Sequence, residues 1–466
     1  MALTLLILAI AAGFYVAWNI GANDVANAVG TSVGSGALTL KQAVLVAAIF
    51  EFCGAFFLGG SVSETVESGI IKSSFFSHDQ MDYVFGMLAS LLAAGVWLQI
   101  ASYFGWPVST THSIIGAVVG FGLVLGGGLQ AINWWEIGSI ALSWIISPLI
   151  GGGVSYLIFS IIRRKILYNI HPINAAKIIT PYLVFFVFFI LTTTILFGGL
   201  SHIDYPLNIL ESIGIAVLVG LITAWIAYFL LKRIVLSPSS MPAYGQEVES
   251  GLMKVQKHLQ RVEAASMGSL QEKVHDILQE VEEISSEIEP PEEEPSEYGV
   301  VEKIFVYLQI VVACFMALAH GSNDVANAIG PLSAIVNILQ GRPISDQTVS
   351  FWLLLLGGVG IVLGLATWGW RVIETVGRKI TDLTPSRGFS AGFGAALTIL
   401  VASKLGLPIS TTHVLVGAVL GVGFARGIGA INLNTIRDIA ISWIVTVPAG
   451  ATLSILFFYI LRLLFS

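Results

Sequence analysis

An eight-residue segment occurs twice in this chain, three hundred residues apart. Asn-Asp-Val-Ala-Asn-Ala-Val-Gly spans residues 23–30, and Asn-Asp-Val-Ala-Asn-Ala-Ile-Gly spans residues 323–330. Each copy follows a strongly apolar run that is typical of a membrane helix. An aspartate at membrane depth is costly to bury and usually marks a working site. We call these two segments the octets and expect both to lie at such a site.

The composition is that of an integral membrane protein. Of the 466 residues, 55% are hydrophobic and only 11% are charged, and the mean hydropathy is +0.85. Soluble globular proteins carry about 25% charged residues. The net charge of -7 arises because 15 of the 29 acidic residues lie between residues 238 and 303. We therefore expect a lipid bilayer as the surroundings and no nucleic-acid partner.

About twelve apolar segments predict an all-α polytopic membrane protein. Most are long enough to cross the ~30 Å hydrocarbon core. The runs near 109–126 and 409–425 are short and rich in glycine, which is typical of re-entrant half-helices. The chain divides into a first repeat at residues 1–165, two linking membrane helices at 166–236, a polar insert at 237–300 and a second repeat at 301–466.

The internal repeat extends beyond the octets. Gly-Trp-Pro-Val-Ser-Thr-Thr-His at 105–112 is echoed by Gly-Leu-Pro-Ile-Ser-Thr-Thr-His at 406–413. Each half holds five segments in the same order, and seven crossings separate their starting points. Because seven is an odd number, the sequence predicts that the two units are inverted in the membrane. Inverted repeats with interrupted helices are typical of secondary transporters.

Lysine and arginine are distributed unevenly between the connecting segments. If the N-terminus lies outside, the inner connections collect twelve basic residues and the outer ones keep four. The positive-inside rule then predicts an outer N-terminus and a cytoplasmic insert at residues 237–300, in the plasma or inner membrane of a cell. The apolar spacing inside the insert predicts two amphipathic helices, near 248–262 and 270–284, before an acidic and proline-rich linker.

The two Ser-Thr-Thr segments indicate anion binding. Proline ends the preceding segment, and serine and threonine are preferred helix N-caps, so each cluster marks a helix start. A helix start offers free N–H groups and about half a positive charge. One copy alone is typical of a plainly capped helix, whereas two copies in inverted units favour one anion held between two helix starts. The candidate residues are Ser109, Thr110, Thr111, Ser410, Thr411 and Thr412.

The octets offer ligands of the complementary kind. Glycines flank both Asn-Asp pairs, so we expect the backbone to be unwound there. Free carbonyl, carboxylate and amide oxygens together suit a small cation. Neither motif contains lysine or arginine, so two or three monovalent cations would balance the aspartates and a bound anion. The candidate cation ligands are Ala22, Asn23, Asp24, Ser322, Asn323 and Asp324.

Three further polar residues have open roles. Glu51 lies inside an apolar run and is either a coupling-ion ligand or paired elsewhere, and the matching run at 350–370 contains no acid. His112 and His413 either take up protons or only donate from the first helical turn. The chain lacks the His-Glu-x-x-His spacing of a metal hydrolase. We therefore expect no enzyme and no resident cofactor.

Taken together, the octets and the two Pro-X-Ser-Thr-Thr-His segments resemble the inorganic phosphate transporter (PiT) family. The resemblance covers both repeats and so most of the chain outside the insert. It implies a transporter of about twelve segments that carries inorganic phosphate with sodium or protons, often as a homodimer. Phosphate would lie between the Ser-Thr-Thr segments and Asn27 and Asn327. Sodium would use the aspartates and asparagines of the octets.

The sequence departs from the pattern of the family at one glutamate. Glu51 matches a glutamate that the family has after its first octet, but the later glutamate of the family is replaced here by the acid-free stretch 389–397. The coupling stoichiometry is therefore left open. The leading hypothesis is sodium-coupled phosphate symport by alternating access. The alternative is a proton-coupled phosphate, metal-phosphate or sulfate permease, since sulfate carriers share this fold and similar motifs.

Overall fold

The computed structural model describes most of the chain, and the regular secondary structure there is helical, with one isolated β-bridge between Ile71 and Ile132. The residues outside the description are 73–79, 107, 126–127, 199–207, 234–251, 253–254, 257, 261, 264–265, 267, 288–296, 343–348, 371–372, 374–382, 428–432 and 466. The predicted first helix of the insert lies partly among them.

Fourteen α-helices are present in the described ranges. They are α1 (Ala2–Gly34), α2 (Leu40–Leu58), α3 (Gly60–Glu64), α4 (Gln80–Phe104), α5 (Thr110–Val124), α6 (Trp134–Ile162), α7 (Pro172–Gly198), α8 (Ile209–Lys232), α9 (Ser269–Glu287), α10 (Glu297–Leu339), α11 (Phe351–Thr367), α12 (Pro385–Lys404), α13 (Thr411–Arg426) and α14 (Leu433–Phe465). Short π-helical turns follow α3 and α6, at Thr65–Gly69 and Arg163–Leu167.

Eight of these helices are long and apolar enough to cross a membrane, and three shorter apolar helices accompany them. The long ones are α1, α2, α4, α6, α7, α8, α10 and α14, and the shorter ones are α5, α11 and α13. The all-α, multi-pass membrane fold is thereby confirmed. A count of about twelve segments stays a prediction.

Matching breaks separate α4 from α5 and α12 from α13. Gly105 and Gly406 end the first helix of each pair with φ values of +67° and +68°. The next N–H closes the turn in both copies, since Trp106 bonds the Ala101 carbonyl and Leu407 bonds the Ala402 carbonyl, at 2.9 and 3.0 Å. Glycine adopts this left-handed conformation without strain. The interrupted helices expected before the Ser-Thr-Thr segments are therefore present.

The octets, by contrast, lie in continuous helices. α1 and α10 run through them without a break, so the prediction of unwound backbone is wrong. The flanking glycines serve close packing instead. A Cβ at Gly21 would lie 1.9 Å from the Ile361 carbonyl oxygen on α11, and a Cβ at Gly321 would lie 2.2 Å from that of Glu51 on α2. Neither glycine adopts a positive φ.

α1 and α10 pack against each other, and their octets are fully buried. Helices of opposite halves interlock around them, because α5 packs on α14 and α13 packs on α6. α7 and α8 pack chiefly on each other and are mostly exposed. In the insert, α9 buries Val274, Leu278 and Val281 along one face, as an amphipathic helix does.

We expect Gly364→Ala to lower the thermal stability of the protein. A Cβ at this position of α11 would lie 1.8 Å from the Trp18 carbonyl oxygen of α1, so the added methyl group must push the helices apart. Overpacking of this kind costs about 1–3 kcal/mol. Thermal unfolding of the detergent-solubilised protein, followed by tryptophan fluorescence, measures the shift in Tm.

Gly214→Ala on α8 is the matched control, because an added Cβ would meet no atom of another described element within 4 Å. This variant should keep or raise the Tm, since alanine favours a helix more than glycine does. Equal Tm values for the two variants would contradict the close crossing of α1 and α11.

Candidate functional site

The octets and the Ser-Thr-Thr segments, far apart in sequence, meet in one buried cluster. α1 and α10 supply the octets, and the starts of α5 and α13 supply the threonines. Asp24 and Asp324 are 1% and 0% exposed, and the threonines are 1–2% exposed. The structure thus brings together the residues that the sequence assigned to an anion site and to a cation site.

Within each half, a threonine binds the octet aspartate. Thr110 Oγ1 donates to Asp24 Oδ2 at 2.8 Å, and Thr411 Oγ1 donates to Asp324 Oδ2 at 2.8 Å. Hydrogen bonds to a charged acceptor are stronger than neutral ones, so they offset part of the cost of burying each carboxylate. The first turns of α5 and α13 are therefore each joined directly to an octet.

Between the halves, an octet asparagine binds the opposite threonine pair. Asn27 Nδ2 donates to Thr412 Oγ1 at 2.8 Å and lies 3.4 Å from Thr411 Oγ1. Asn327 Nδ2 donates to Thr110 and Thr111 at 3.1 and 3.2 Å. Both amides and all four threonine hydroxyls therefore converge on one place at the boundary of the two halves.

The hydroxyls of Thr111 and Thr412 also cross this boundary. Thr111 Oγ1 donates to the Ile409 carbonyl at 2.9 Å, and Thr412 Oγ1 lies 3.5 Å from the Val108 carbonyl. Each acceptor belongs to the extended segment that precedes the other half's helix. The two helix starts are thus held against each other by their own backbone.

Asn23 and Asn323 bind the breaks that precede the helix starts. Asn23 Nδ2 donates to Ser102 Oγ and to the Trp106 carbonyl, and Asn323 Nδ2 makes the matching bonds to Ser403 and Leu407, all at 3.1–3.2 Å. In the described part of the chain, Asn23 Oδ1 is buried without a hydrogen-bond partner. This amide oxygen is accordingly a free acceptor inside the site.

Ser109 and Ser410 cap their helices through their hydroxyl oxygens, and their role in phosphate binding stays a prediction. Ser109 Oγ accepts the N–H of His112 at 3.2 Å, and Ser410 Oγ accepts the N–H of His413 at 3.3 Å. The two imidazoles pack together, with ring centroids 4.4 Å apart, and each lies against a tryptophan, Trp144 or Trp443, at 3.8 and 3.5 Å. A ligand role for either histidine stays a prediction.

Glu51 is paired with a residue that sequence reasoning missed. His320 Nδ1 lies 3.2 Å from Glu51 Oε1, and His320 Nε2 lies 2.9 Å from Asp324 Oδ2. All three side chains are 0% exposed. The sequence contains one indication of this contact, because His320 precedes Asp324 by four residues and therefore lies on the same face of the helix.

This pairing joins the two halves, and the described residues hold no second copy of it. Ile361 faces Gly21 as Glu51 faces Gly321, and Ile20 occupies the position before the first octet that His320 occupies before the second. The hydrogen-bond geometry of the site is therefore repeated, whereas its charge is not.

Comparisons with known proteins identify the kind of site. A model described as the phosphate transporter family matches residues 20–454, which include both octets and both Ser-Thr-Thr segments. The chain belongs to the phosphate transporter family. The resemblance drawn from the motifs is thus confirmed, and the protein is a membrane transporter rather than an enzyme.

Individual members of the family are similar over nearly the whole chain. A Chlamydia pneumoniae protein named as a phosphate permease is 51% identical over 99% of this chain and 100% of its own. The chloroplastic inorganic phosphate transporter 2-1 of Arabidopsis thaliana is 43% identical over 96% of this chain and 70% of its own. A solved structure described as the sodium-dependent phosphate transporter has a TM-score of 0.81 and 35% identity, over 99% of both chains.

The charges of the site also suit a phosphate transporter that carries cations. Oxygen and nitrogen atoms of Asp24, His320 and Asp324 lie within 4.8 Å of one another, close enough to surround one ion. In the described ranges, no lysine or arginine side chain binds Asp24, Glu51 or Asp324. Three buried carboxylates and one imidazole leave a negative site, which a bound cation would neutralise.

We expect His320→Leu to destabilise this phosphate transporter by about 3 kcal/mol or more. Removing one partner of a buried ion pair leaves an uncompensated buried charge, and here both Glu51 and Asp324 lose their partner. Ile20→Leu is the matched control at the corresponding position of α1, and it should cost less than about 1.5 kcal/mol. The measurement is the Tm of each purified variant.

Adding Glu51→Leu to His320→Leu should recover part of the loss, because replacing both partners removes the unpaired charge. If His320→Leu unfolds at the same temperature as Ile20→Leu, the pairing does not stabilise the fold.

Proposed function

We propose that this phosphate transporter takes up inorganic phosphate by symport with sodium and works by alternating access. One observation carries the proposal. The donors of the two halves converge, since Asn27 binds Thr411 and Thr412 while Asn327 binds Thr110 and Thr111. A tetrahedral oxyanion needs several donors arranged around it, and two facing helix starts provide them.

Phosphate would lie between the two threonine pairs. In our assignment its oxygens accept from the hydroxyls of Thr110, Thr111, Thr411 and Thr412 and from the amides of Asn27 and Asn327, with N–H groups of the first helical turns behind them. Ser109 and Ser410 would keep the helix starts in position through their caps. Binding would exchange the bonds between halves, and the bonds of Thr110 and Thr411 to the aspartates, for bonds to the ligand.

Sodium would lie beside the octet aspartates. Asn23 Oδ1 and Asp324 Oδ1 are buried acceptors without a hydrogen-bond partner in the described part of the chain. The carbonyls of Ala22 and Ser322 lie in continuous helices and retain one lone pair each. Asp24 and Asn323 complete the set. Cations here would offset the charge of phosphate as well as that of the carboxylates, which accounts for coupling.

Alternating access would use the boundary between the halves. The matched breaks at Gly105 and Gly406 and the cross-boundary bonds support one site between two similar bodies. We propose that the halves are inverted repeats, that the N-terminus lies outside and residues 237–300 in the cytoplasm, and that the protein is a homodimer in the plasma or inner membrane. The odd number of crossings and the lysine and arginine distribution support the orientation.

Uptake of radiolabelled phosphate into proteoliposomes tests the proposal. A sodium gradient at equal pH should drive accumulation above equilibrium, and excess sulfate should not compete. Accumulation driven by a proton gradient alone would instead support the proton-coupled alternative. Competition by sulfate would support a sulfate permease.

We expect substitutions of the proposed sodium ligands and of the proposed phosphate ligands to change different half-saturation constants of uptake. Asp24→Asn and Asp324→Asn keep the shape but remove charge, so the sodium concentration for half-maximal uptake should rise most. Thr111→Val and Thr412→Val each remove one donor from a buried anion, at about 1–3 kcal/mol, or roughly five- to more than a hundredfold in phosphate affinity. Uptake measured against sodium and against phosphate separates the two.

Because sodium and phosphate binding are linked, each variant will also shift the other constant. The comparison is therefore which constant shifts more. Aspartate variants with a normal sodium dependence, together with threonine variants that have an abnormal one, would show that the two sites are assigned the wrong way round.

We expect Lys41→Cys and Gln340→Cys to react from opposite sides of the membrane. Both positions are exposed and follow an octet helix, α1 or α10. In inverted repeats the ends of these helices face opposite sides, with Lys41 inside and Gln340 outside. Labelling of intact cells by an impermeant maleimide, with Cys53 and Cys314 replaced by alanine, checks this. Labelling of both positions from one side would contradict the inversion.

A further inference from the structure

A groove of about 590 Å³ lies between α7, α8 and α10. One face of each helix lines it, as the spacing of Thr180, Val184 and Phe188 on α7 illustrates. Apart from three hydroxyl groups, of Thr180, Thr223 and Tyr307, the lining is apolar. No lining residue belongs to the proposed phosphate or sodium site, so transport does not account for the groove.

The groove runs along its three helices and has two ends. Thr180, Leu231 and Ile304 lie at one end, near the start of α7, the end of α8 and the start of α10. From there the lining continues along α7 to Phe188, about 12 Å at 1.5 Å per residue. The groove is therefore long enough to hold part of a lipid acyl chain.

Basic side chains continue the lining faces beyond the end at Thr180, Leu231 and Ile304. Lys177 precedes Thr180 by three residues, and Lys303 precedes Tyr307 by four, so each pair shares a helix face. Arg233 follows Leu230 by three residues in helical conformation. Together, Lys177, Arg233 and Lys303 form what we call the basic mouth of the groove.

Two of the three basic side chains, those of Arg233 and Lys303, are available to a ligand. Arg233 and Lys303 are exposed and make no side-chain hydrogen bond or ion pair with the part of the chain that the structure describes. The neighbouring acid Glu302 is engaged elsewhere, because it accepts from the N–H and the hydroxyl of Ser386 at 2.8 Å. Tyr307, which is 74% exposed, adds a hydroxyl between the mouth and the apolar lining.

This combination favours one kind of occupant. A two-fold contact with a second copy would bring basic mouths together, and like charges oppose each other at an interface. An anionic phospholipid matches both parts, with a chain for the apolar groove and a phosphate for the mouth. In the proposed orientation the mouth faces the cytoplasmic leaflet, where anionic lipids attract basic residues.

We propose that the groove between α7, α8 and α10 binds an acyl chain of an anionic phospholipid, whose phosphate is held at Arg233 and Lys303 beside Lys177. The leaflet rests on the proposed orientation, whereas the site itself does not. The linking helices α7 and α8, which pack chiefly on each other, would thereby be fixed to α10 through a lipid.

Native mass spectrometry of the purified full-length protein tests this. The protein is titrated with phosphatidylglycerol or with phosphatidylcholine of the same chains, and bound lipid is counted. Wild type should retain phosphatidylglycerol preferentially. The double variant Arg233→Gln/Lys303→Gln should bind it roughly thirtyfold more weakly, to the level of phosphatidylcholine. Ala227→Trp, which fills the groove from α8, should lower retention of both lipids.

Two matched controls should leave lipid retention unchanged. Arg164→Gln/Lys165→Gln removes two exposed basic residues after α6, and Leu221→Trp adds the same ring to an exposed position of α8 outside the groove. The proposal is overturned if wild type retains both lipids equally, or if the Arg233/Lys303 variant matches the Arg164/Lys165 control.

Two further readouts separate other occupants. Displacement of phosphatidylglycerol by excess inorganic phosphate would show that the mouth is a simple anion site. Phosphatidylglycerol that stays bound under excess phosphate would support the lipid site. A change in oligomeric mass on Ala227→Trp would show that the groove is a protein interface, whereas an unchanged mass agrees with a lipid groove.

Discussion

The rest of the structure depends on burying two aspartates at the crossing of α1 and α10. Asp24 and Asp324 are withdrawn from solvent, and Glu51 lies buried near Asp324. Their burial is tolerable because each has a specific partner, a threonine hydroxyl for both aspartates and His320 for Asp324 and Glu51. The breaks before α5 and α13 follow from this need, since they bring helix starts with free donors to the carboxylates.

Neither half can build this site alone. Asn27 of the first half binds the threonines of the second, Asn327 does the reverse, and Thr111 bonds the backbone before α13. α5 and α13 are also packed on helices of the opposite half. Any ligand held by these groups is in contact with both halves, so its binding energy acts directly on their relative position. That connection is what a transporter working at a boundary requires.

The halves share geometry but differ in charge. Asn23 and Asn323 make the same bonds to the same kinds of partner, yet Glu51 and His320 are matched by Ile361 and Ile20. The two octets therefore lie in different electrostatic surroundings, with an imidazole beside Asp324. Cations bound as proposed at the two aspartates would therefore differ in affinity, because positions 20 and 320 hold different residues.

The sequence by itself determined the local features: the apolar helices, the Ser-Thr-Thr helix starts, the octets as a buried polar centre and the family. These depend on hydrophobic length, capping and repeated motifs, which are local. The tertiary structure decided the rest. The glycines beside the octets allow unwinding or close packing, and only the approach of α2 and α11 within contact distance selects packing. His320 gained its role because α2 brings Glu51 beside it. The bonds between halves join residues that lie 217 and 385 positions apart, a proximity that no local pattern encodes.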